Sequence, residues 1–450
     1  MDWQTWAVVP LFIKRDHRVC SNYRGITQLS LPGKVYSRVL ERRVRQIVEP
    51  QIHEEQCDFR PGRGTLDQLY TLRGILEGAW EFAQPVYMCL VDLEKAFDRV
   101  PRGTLWGVFR EYGVPGPLIR AVRSLYDRCQ SLVRIAGSKS GSFPVRVGLR
   151  QGCPLSPILF ITFMDRISRR CQGVEGIRFG GLKIRSLLFA DDVVLLASSE
   201  CDLQLSLERF AAECEAAGMR ISSSKSETMV LIRKRVECFL QVRDEVLPQV
   251  VEFKYLGVLF TSEGKLEREI DRRIGAASAV MRALYRSVVV KRELSQKAKL
   301  SIYRSIYVPT LTYGHELWVV TKRTRSLTQV AEMSFLPRVA GLFLRDRVRS
   351  SVIREGLRVD LLLLHIKRSQ LRWLGHLVRM PPGRRPGEVF WARPTGRRPK
   401  GRPRTRWRDY VSHLARERLG IPPEELAQVA GEREVWASRL RLLPLRPDSR

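Results

Sequence analysis

The sequence predicts a mixed α/β (α+β) fold in which an antiparallel sheet carries acids at its strand ends, followed by an all-helical region and a basic tail. Three observations carry that expectation. Phe189-Ala190-Asp191-Asp192 separates two apolar runs, Ser186–Leu188 and Val193–Ala197, so it reads as a hairpin with carboxylates near its tip. Val86–Val91 is apolar on both faces, reads as a central strand and stops at Asp92. From Leu266 onward the pattern turns helical, with Ile270, Ile274, Val280 and Leu284 on faces opposite Arg268, Arg272, Arg273, Arg282 and Arg286.

Val, Leu and Phe favour a buried sheet. Two neighbouring carboxylates at its edge repel each other, and burying them unpaired is costly. A divalent cation such as Mg²⁺ is the common remedy; the alternative is a surface Asp-Asp turn. With 450 residues, 44% of them hydrophobic, the chain can hold two or three compact units, which excludes wholesale disorder. A net charge of +31 calls for a polyanionic partner, bound with an affinity that falls with salt. An anionic membrane surface competes for that role. No run of 18 apolar residues and no signal peptide occurs, so membrane insertion and secretion are not expected. The nine cysteines form no C-x-x-C, which suits a reducing compartment, nucleus or cytoplasm. None follows Cys238, so no C-terminal Cys-His zinc knuckle is expected.

In chain order, Val8–Lys14 and Asn22–Thr27 read as a hairpin. Gly33–Glu49 is a helix with Val35, Val39, Leu40, Val44 and Ile47 on one stripe, ended by Pro50. A second helix, 66 to about 82, is expected to be capped by Thr65. Pro101–Tyr112 and Pro117–Arg128 are helices. Leu132–Ile135 pairs with Phe143–Val147, and Ile177–Ile184 turns at Gly180-Gly181. Ser156–Arg170 and Cys201–Ala217 are helices, the latter ending at Gly218. Pro381–Pro403 is rich in Pro, Gly and Arg and reads as an extended linker, a nucleic-acid tether or a nuclear localisation signal, the alternative being a solvated arm. His365, His376 and His413 stand alone in the sequence and read as packed or exposed rather than as metal ligands.

Three stretches carry chemistry together. Asp92-Leu93-Glu94-Lys95-Ala96-Phe97-Asp98, Gln151-Gly152-Cys153-Pro154-Leu155-Ser156-Pro157 and Phe189-Ala190-Asp191-Asp192 resemble, in order and spacing, motifs A, B and C of the reverse transcriptases of non-LTR (LINE-type) retrotransposons. Cys57–Thr65 resembles the family's G-F-R-x-G-R-S/G-T stretch, except that Asp58 stands where the family has Gly. Met219–Glu227 resembles motif D in part, with Ser222 near the usual Asn; Phe253–Phe260 resembles the motif E strand, and Arg372–Leu377 a short signature beyond the thumb.

The resemblance implies a right-hand polymerase: fingers over 1–85, palm over 86–262, helical thumb over 263–345, a helical region over 346–380 and the basic linker and tail over 381–450. It implies RNA-directed DNA synthesis from dNTPs on an RNA template and a DNA primer. Two Mg²⁺ ions, with Mn²⁺ as substitute, would sit on Asp92, the carbonyl of Leu93 and Asp191, with Asp192 in support. Lys14 and Arg24 would hold the triphosphate, the alternative being solvated cations. Phe97 would exclude a 2′-hydroxyl, the alternative being a core residue. Gln151 and Gly152 would lie beneath the nucleotide, and Lys225 would donate a proton to pyrophosphate. Arg63, Arg268, Arg272, Arg397, Arg398, Lys400 and Arg402 are the residues expected on nucleic acid. Family members also carry an endonuclease and an N-terminal extension, so a truncated element copy is expected, and a decayed product that binds without turnover is the alternative function. An RNA-templated RNA polymerase is a third, against which Phe97 and the F-A-D-D form both speak.

Overall fold

The computed structural model describes residues 5–443, apart from 14, 15, 172, 234, 235, 290, 292, 343, 395, 397, 402 and 403. Lys14, Arg397 and Arg402 therefore lie outside the described residues.

The chain opens with β1 (Thr5–Phe12) and β2 (Tyr23–Gln28), an antiparallel pair in register from Ala7↔Gln28 to Phe12↔Tyr23. α1 (Leu31–Val48) follows, capped by the Ser30 hydroxyl, which accepts the Gly33 N–H at 3.2 Å. α2 (Thr65–Glu81) begins at Thr65 itself, so Thr65 is not the cap. The cap is Gly64, whose N–H donates to Asp67 Oδ2 at 2.9 Å. β3 (Val86–Val91) occupies the central-strand stretch read from the sequence. Three helices come next, α3 (Ala96–Arg99), α4 (Arg102–Glu111) and α5 (Gly116–Ser124). β4 (Gln130–Ile135) carries β5 (Ser138–Lys139) and β6 (Phe143–Pro144), and also joins β1 in parallel, a pairing with no local signal.

α6 (Ser156–Arg170) leads to the hairpin β7 (Ile177–Phe179) and β8 (Leu182–Ile184). β9 (Ser186–Phe189) and β10 (Asp192–Ala197) form the acidic hairpin. α7 (Glu200–Ala216), β11 (Glu227–Leu231) and the small hairpin β12 (Gln241–Val242) and β13 (Glu245–Val246) follow. The motif E stretch is two strands rather than one: β14 (Glu252–Tyr255) and β15 (Val258–Thr261) turn at Leu256 and Gly257, both at positive φ. After Thr261 every regular element among the described residues is helical.

The central sheet has the order β11-β3-β10-β9 and is antiparallel throughout. Its strands alternate between two cores. Val86, Met88, Val194, Leu196, Met229 and Leu231 point into one, while Cys89, Val91, Val193, Leu195, Ala197 and Val230 point into the other. Burial on both faces explains why these strands read as continuous apolar runs. Helices α4, α6 and α7 cover the second face. The first face is covered by α2, the β14–β15 hairpin and the helices beyond.

Those helices are α8 (Glu267–Leu284), α9 (Gln296–Ile302), α10 (Val308–Thr312), α11 (Lys322–Val339), α12 (Ser350–Leu357) and α13 (Leu362–Val378). The stretch expected to be an extended linker instead continues the packing. α14 (Arg385–Trp391) lies along α2, followed by α15 (Trp407–Leu419), α16 (Pro423–Gly431) and α17 (Arg433–Arg441). Gly74 and Gly78 make this approach work: a Cβ on Gly74 would lie 2.4 Å from Val389 Cγ1, and one on Gly78 3.0 Å from Pro394 Cγ. Among the described residues, four arginines of this region are used internally. Arg384 pairs with Asp67 at 3.0 Å, Arg385 with Glu55 at 3.4 Å, Arg406 with Glu81 at 3.2 Å, and Arg398 also with Glu81. Trp407 is buried edge-on to Tyr70, with ring centroids 5.1 Å apart. Composition gives no sign of these pairs because Glu55, Asp67 and Glu81 come from the other end of the chain.

Candidate active site

The β3–β10 register runs from Ala197↔Tyr87 to Val193↔Val91 and leaves Asp92 and Asp192 at the adjoining strand ends. Asp191 and Ala190 form the two-residue turn between β9 and β10, closed by the Asp192↔Phe189 pair. Asp92, Asp191 and Asp192 thus gather at one end of the sheet.

Asp92 is tied down from the motif D side. Its N–H donates to Ser226 Oγ at 3.1 Å, and Ser226 in turn donates to the Ser222 carbonyl at 2.8 Å. The Ser222 N–H donates to the Asp92 carbonyl at 2.8 Å, and the Glu94 N–H to the Arg220 carbonyl at 2.9 Å. Those bonds bridge Leu93 to Ile221 without engaging the Leu93 carbonyl. Lys225 reaches back to Asp92, Nζ to Oδ2 at 3.2 Å, as an exposed pair. Ser226, fully buried, was not singled out by sequence reasoning.

The electrostatics are those of a crowded anionic site. Burial holds the Asp191 carboxyl above its usual range, the charge of Asp92 adds to this, and Arg24 opposes it. Desolvation, then the charges of Asp191 and Asp92, raise Asp192 to about 6. Asp58, the residue standing where the family has Gly, is raised to about 6 by desolvation and by Asp191 and Asp192, although the Phe59 N–H partly offsets this. Asp58 is therefore a fourth carboxylate within electrostatic reach of the motif acids, which the sequence alone did not indicate.

These shifts fix the sign of a pH effect. Their contribution to stability is present below the unfolded carboxylate value of about 4 and is lost as pH rises through the folded value. In metal-free buffer, Asp58→Asn should therefore gain melting temperature over the parent chain as pH goes from about 5 to about 7. A difference that stays flat across that window would show that Asp58 does not feel Asp191 and Asp192.

Above the acids, Gln151 links three elements. Its Oε1 accepts from Arg24 Nε at 2.9 Å, its Nε2 donates to Asp98 Oδ1 at 3.1 Å, and its carbonyl accepts the Thr27 N–H at 2.7 Å. Gly152 has φ 106°, and a Cβ there would stand 2.9 Å from the Thr27 carbonyl oxygen, so only glycine fits. Phe97 is partly buried, stacked on Phe160 with centroids 4.1 Å apart. It is anchored in the core on one side and also partly open.

Several residues expected on nucleic acid are occupied. Arg63 is a correction: its side chain is largely buried against Glu54, with Nη2 to Oε1 at 2.6 Å. Arg272 is another, bound to the fully buried Glu269 at 2.8 Å and to the Gly257 carbonyl at 2.6 Å. Arg398 is spent on Glu81. Arg268 is mostly exposed, although it pairs with Glu252 at 2.8 Å, and Lys400 is exposed.

Among the described residues no three His, Cys, Asp or Glu side chains converge on one point. A metal here would take its side-chain ligands from two aspartates and complete its shell elsewhere. The residues fit that demand: Asp92 and Asp191 repel one another, the Leu93 carbonyl is free of its bridge, and the Lys225 ammonium already sits on Asp92. No helix among the described residues is long and apolar enough to cross a membrane.

Residues 13–260 match the family model for reverse transcriptase (RNA-dependent DNA polymerase), more than half of the chain. The chain belongs to the reverse transcriptase family. Its relatives are products of mobile elements, in keeping with the LINE-type motifs. It is 24% identical over 423 residues to the Retrovirus-related Pol polyprotein from type-2 retrotransposable element R2DM of Drosophila melanogaster, covering 90% of this chain and 38% of that protein. It is 28% identical over 262 residues to the Transposon TX1 uncharacterized 149 kDa protein of Xenopus laevis, covering 57% of this chain and 20% of that one. The RNA-directed DNA polymerase from mobile element jockey of Drosophila funebris is 24% identical, over 71% of this chain and 36% of its own length. The chain thus spans well under half of each of these three. Among solved structures it is similar to apo telomerase from Candida tropicalis, at 11% identity and a TM-score of 0.46, covering 97% of this chain and 69% of that one.

Proposed function

We propose that this chain is the RNA-directed DNA polymerase of a LINE-type retroelement, adding dNTPs to the 3′-hydroxyl of a DNA primer on an RNA template. The observation that carries the reading is the β3–β10 pairing, which sets Asp92 beside Asp191 and Asp192 beneath the Arg24–Gln151–Asp98 link. Residues 1–85 act as fingers, 86–262 as palm, 263–345 as thumb and 346–380 as its helical continuation. The described part of residues 381–443 serves as a clasp on α2 of the fingers, in place of the free tether expected from composition.

Asp92, Asp191 and the Leu93 carbonyl would hold two Mg²⁺ ions, with Asp192 in support. The chemistry supplied there is activation of the 3′-hydroxyl and stabilisation of charge on the leaving oxygens. Arg24, with Lys14, holds the triphosphate, and Gln151 and Gly152 form the surface beneath the nucleotide. Lys225 leaves Asp92 to give its Nζ proton to departing pyrophosphate. Arg268 and Lys400 are the exposed cations left to meet the nucleic-acid backbone.

Primer extension on an RNA template with the purified chain tests the reading. dNTPs should be incorporated and rNTPs should not; no extension with dNTPs under Mg²⁺ or Mn²⁺ would overturn it. Phe97 sets the sugar preference. Forcing an extra hydroxyl against a packed ring costs about 1–3 kcal/mol, or roughly ten- to a hundredfold in rate. Phe97→Val should raise the rNTP/dNTP ratio by about that factor while dNTP use falls less. If both activities and the melting temperature fall together with the ratio unchanged, Phe97 serves only to cover Phe160.

A further inference from the structure

We infer that Gln56 is a positioning residue: its buried amide fixes the tip of the β9–β10 hairpin and so sets the carboxylate of Asp191 toward a divalent metal. The inference rests on the polymerase reading of the site and adds a residue to it.

The tip needs an outside support. Ala190 adopts φ 53°, a left-handed conformation unfavourable for a residue with a Cβ. The turn has only two residues, so any error in Ala190 passes directly to Asp191. Gln56 is 1% exposed, and its Oε1 accepts the Ala190 N–H at 3.0 Å and the Asp58 N–H at 3.1 Å. Its Nε2 faces the Ala190 carbonyl at 3.5 Å. One side chain thereby contacts both backbone polar groups of the strained residue.

Gln56 is itself held. The Leu188 N–H donates to the Glu55 carbonyl at 2.9 Å and the Cys57 N–H to the Leu188 carbonyl at 3.0 Å, a one-residue parallel bridge on the outer edge of β9. Arg60, itself buried, donates from Nη1 to the Gln56 carbonyl at 2.9 Å and the His53 carbonyl at 2.7 Å, and from Nε to Glu49 at 2.7 Å. The support thus runs from the end of α1 through Arg60 and Gln56 to Ala190, next to Asp191. The chemistry calls for a neutral amide. A buried oxygen that accepts two N–H groups must have an acceptor's lone pairs, and a carboxylate there would add charge beside Asp58 and Asp191.

Gln56→Met keeps the volume and removes the acceptor, leaving two buried N–H groups without a partner. The full chain is titrated with Mn²⁺ and free ion is read by electron paramagnetic resonance, with Asp191→Asn marking the binding left when the site is lost. Gln56→Met should weaken the Asp191-dependent Mn²⁺ binding about tenfold, the scale of lost outer-shell support. In extension assays kcat should fall and the Mg²⁺ midpoint should rise, with KM for dNTP unchanged. Gln68→Met is the structural control. It removes a neighbouring buried amide that donates to the Leu188 carbonyl at 3.0 Å and the Glu55 carbonyl at 2.7 Å but does not reach the tip. It should lower the melting temperature and leave Mn²⁺ affinity alone. If Gln56→Met does not fold, Gln56→Asn, one methylene too short, is read by the same titration. Parental Mn²⁺ affinity in the Gln56 variant, an equal loss in Gln68→Met, or a parent chain indistinguishable from Asp191→Asn would each overturn the inference. A parent chain that binds Mn²⁺ through Asp191 but extends no primer would instead overturn the polymerase reading and leave the role of Gln56 standing.

Discussion

Asp92→Asn and Asp191→Asn should each abolish primer extension, a loss of about a thousandfold or more, or roughly 4 kcal/mol of transition-state stabilisation. Each substitution removes one of the two carboxylates proposed to hold the metals. The fold should survive. The Asp92–Lys225 pair is exposed and contributes little to stability. At Asp191 the change removes one charge from a crowded anionic cluster, so the metal-free protein should melt no lower than the parent and somewhat higher at neutral pH. Extension at parental rate in either variant would remove these residues from the chemistry. A collapse in melting temperature would mean that activity was lost through folding.

The second large effect concerns the tail. Trp407→Ala should destabilise the chain by about 3–5 kcal/mol, as expected for a fully buried aromatic. Beyond its packing on Tyr70, the Trp407 indole N–H donates to the Glu316 carbonyl at 2.6 Å and its backbone N–H to Glu77 at 3.1 Å. Arg384→Ala should cost less, about 1–3 kcal/mol, because the buried Asp67 carboxylate loses an ion pair and keeps the Gly64 N–H. A chain ending before Arg384 should therefore lose its cooperative melt, observed by circular dichroism and by rapid proteolysis within α2. A truncated chain that melts at the parental temperature would restore the tail to the status of a passive arm.

What was legible in the sequence follows from the range of the forces involved. β3, α6 and the β7–β8 hairpin could be read to within a residue, because alternation, capping and glycine turns are local. The acids of the site were legible as well, since motif spacing places them at strand ends. The supports were not. Ser226 and Gln56 act through hydrogen bonds to backbone 134 residues away, and an isolated Ser or Gln has no pattern. The ion pairs of the arginines expected on nucleic acid divide in the same way. Arg398 finds Glu81 only through the fold, whereas Arg272 pairs with Glu269 one turn earlier on its own helix and Arg63 with the nearby Glu54.

The clasp has a consequence for the order in which the molecule is made. Contacts from Trp407 to Glu77 and from Arg385 to Glu55 each span 330 residues. During synthesis α2 emerges early, with Gly74 shaped for a helix that has yet to be translated. Until that helix arrives, the groove and Tyr70 face water or a chaperone, and the palm cannot close its first core. Such sequence separation slows folding and lengthens the time during which apolar surface is exposed. Loss of α14 and the helices after it would therefore do more than shorten the chain. It would leave the central sheet and α2 without packing that their first core needs to close.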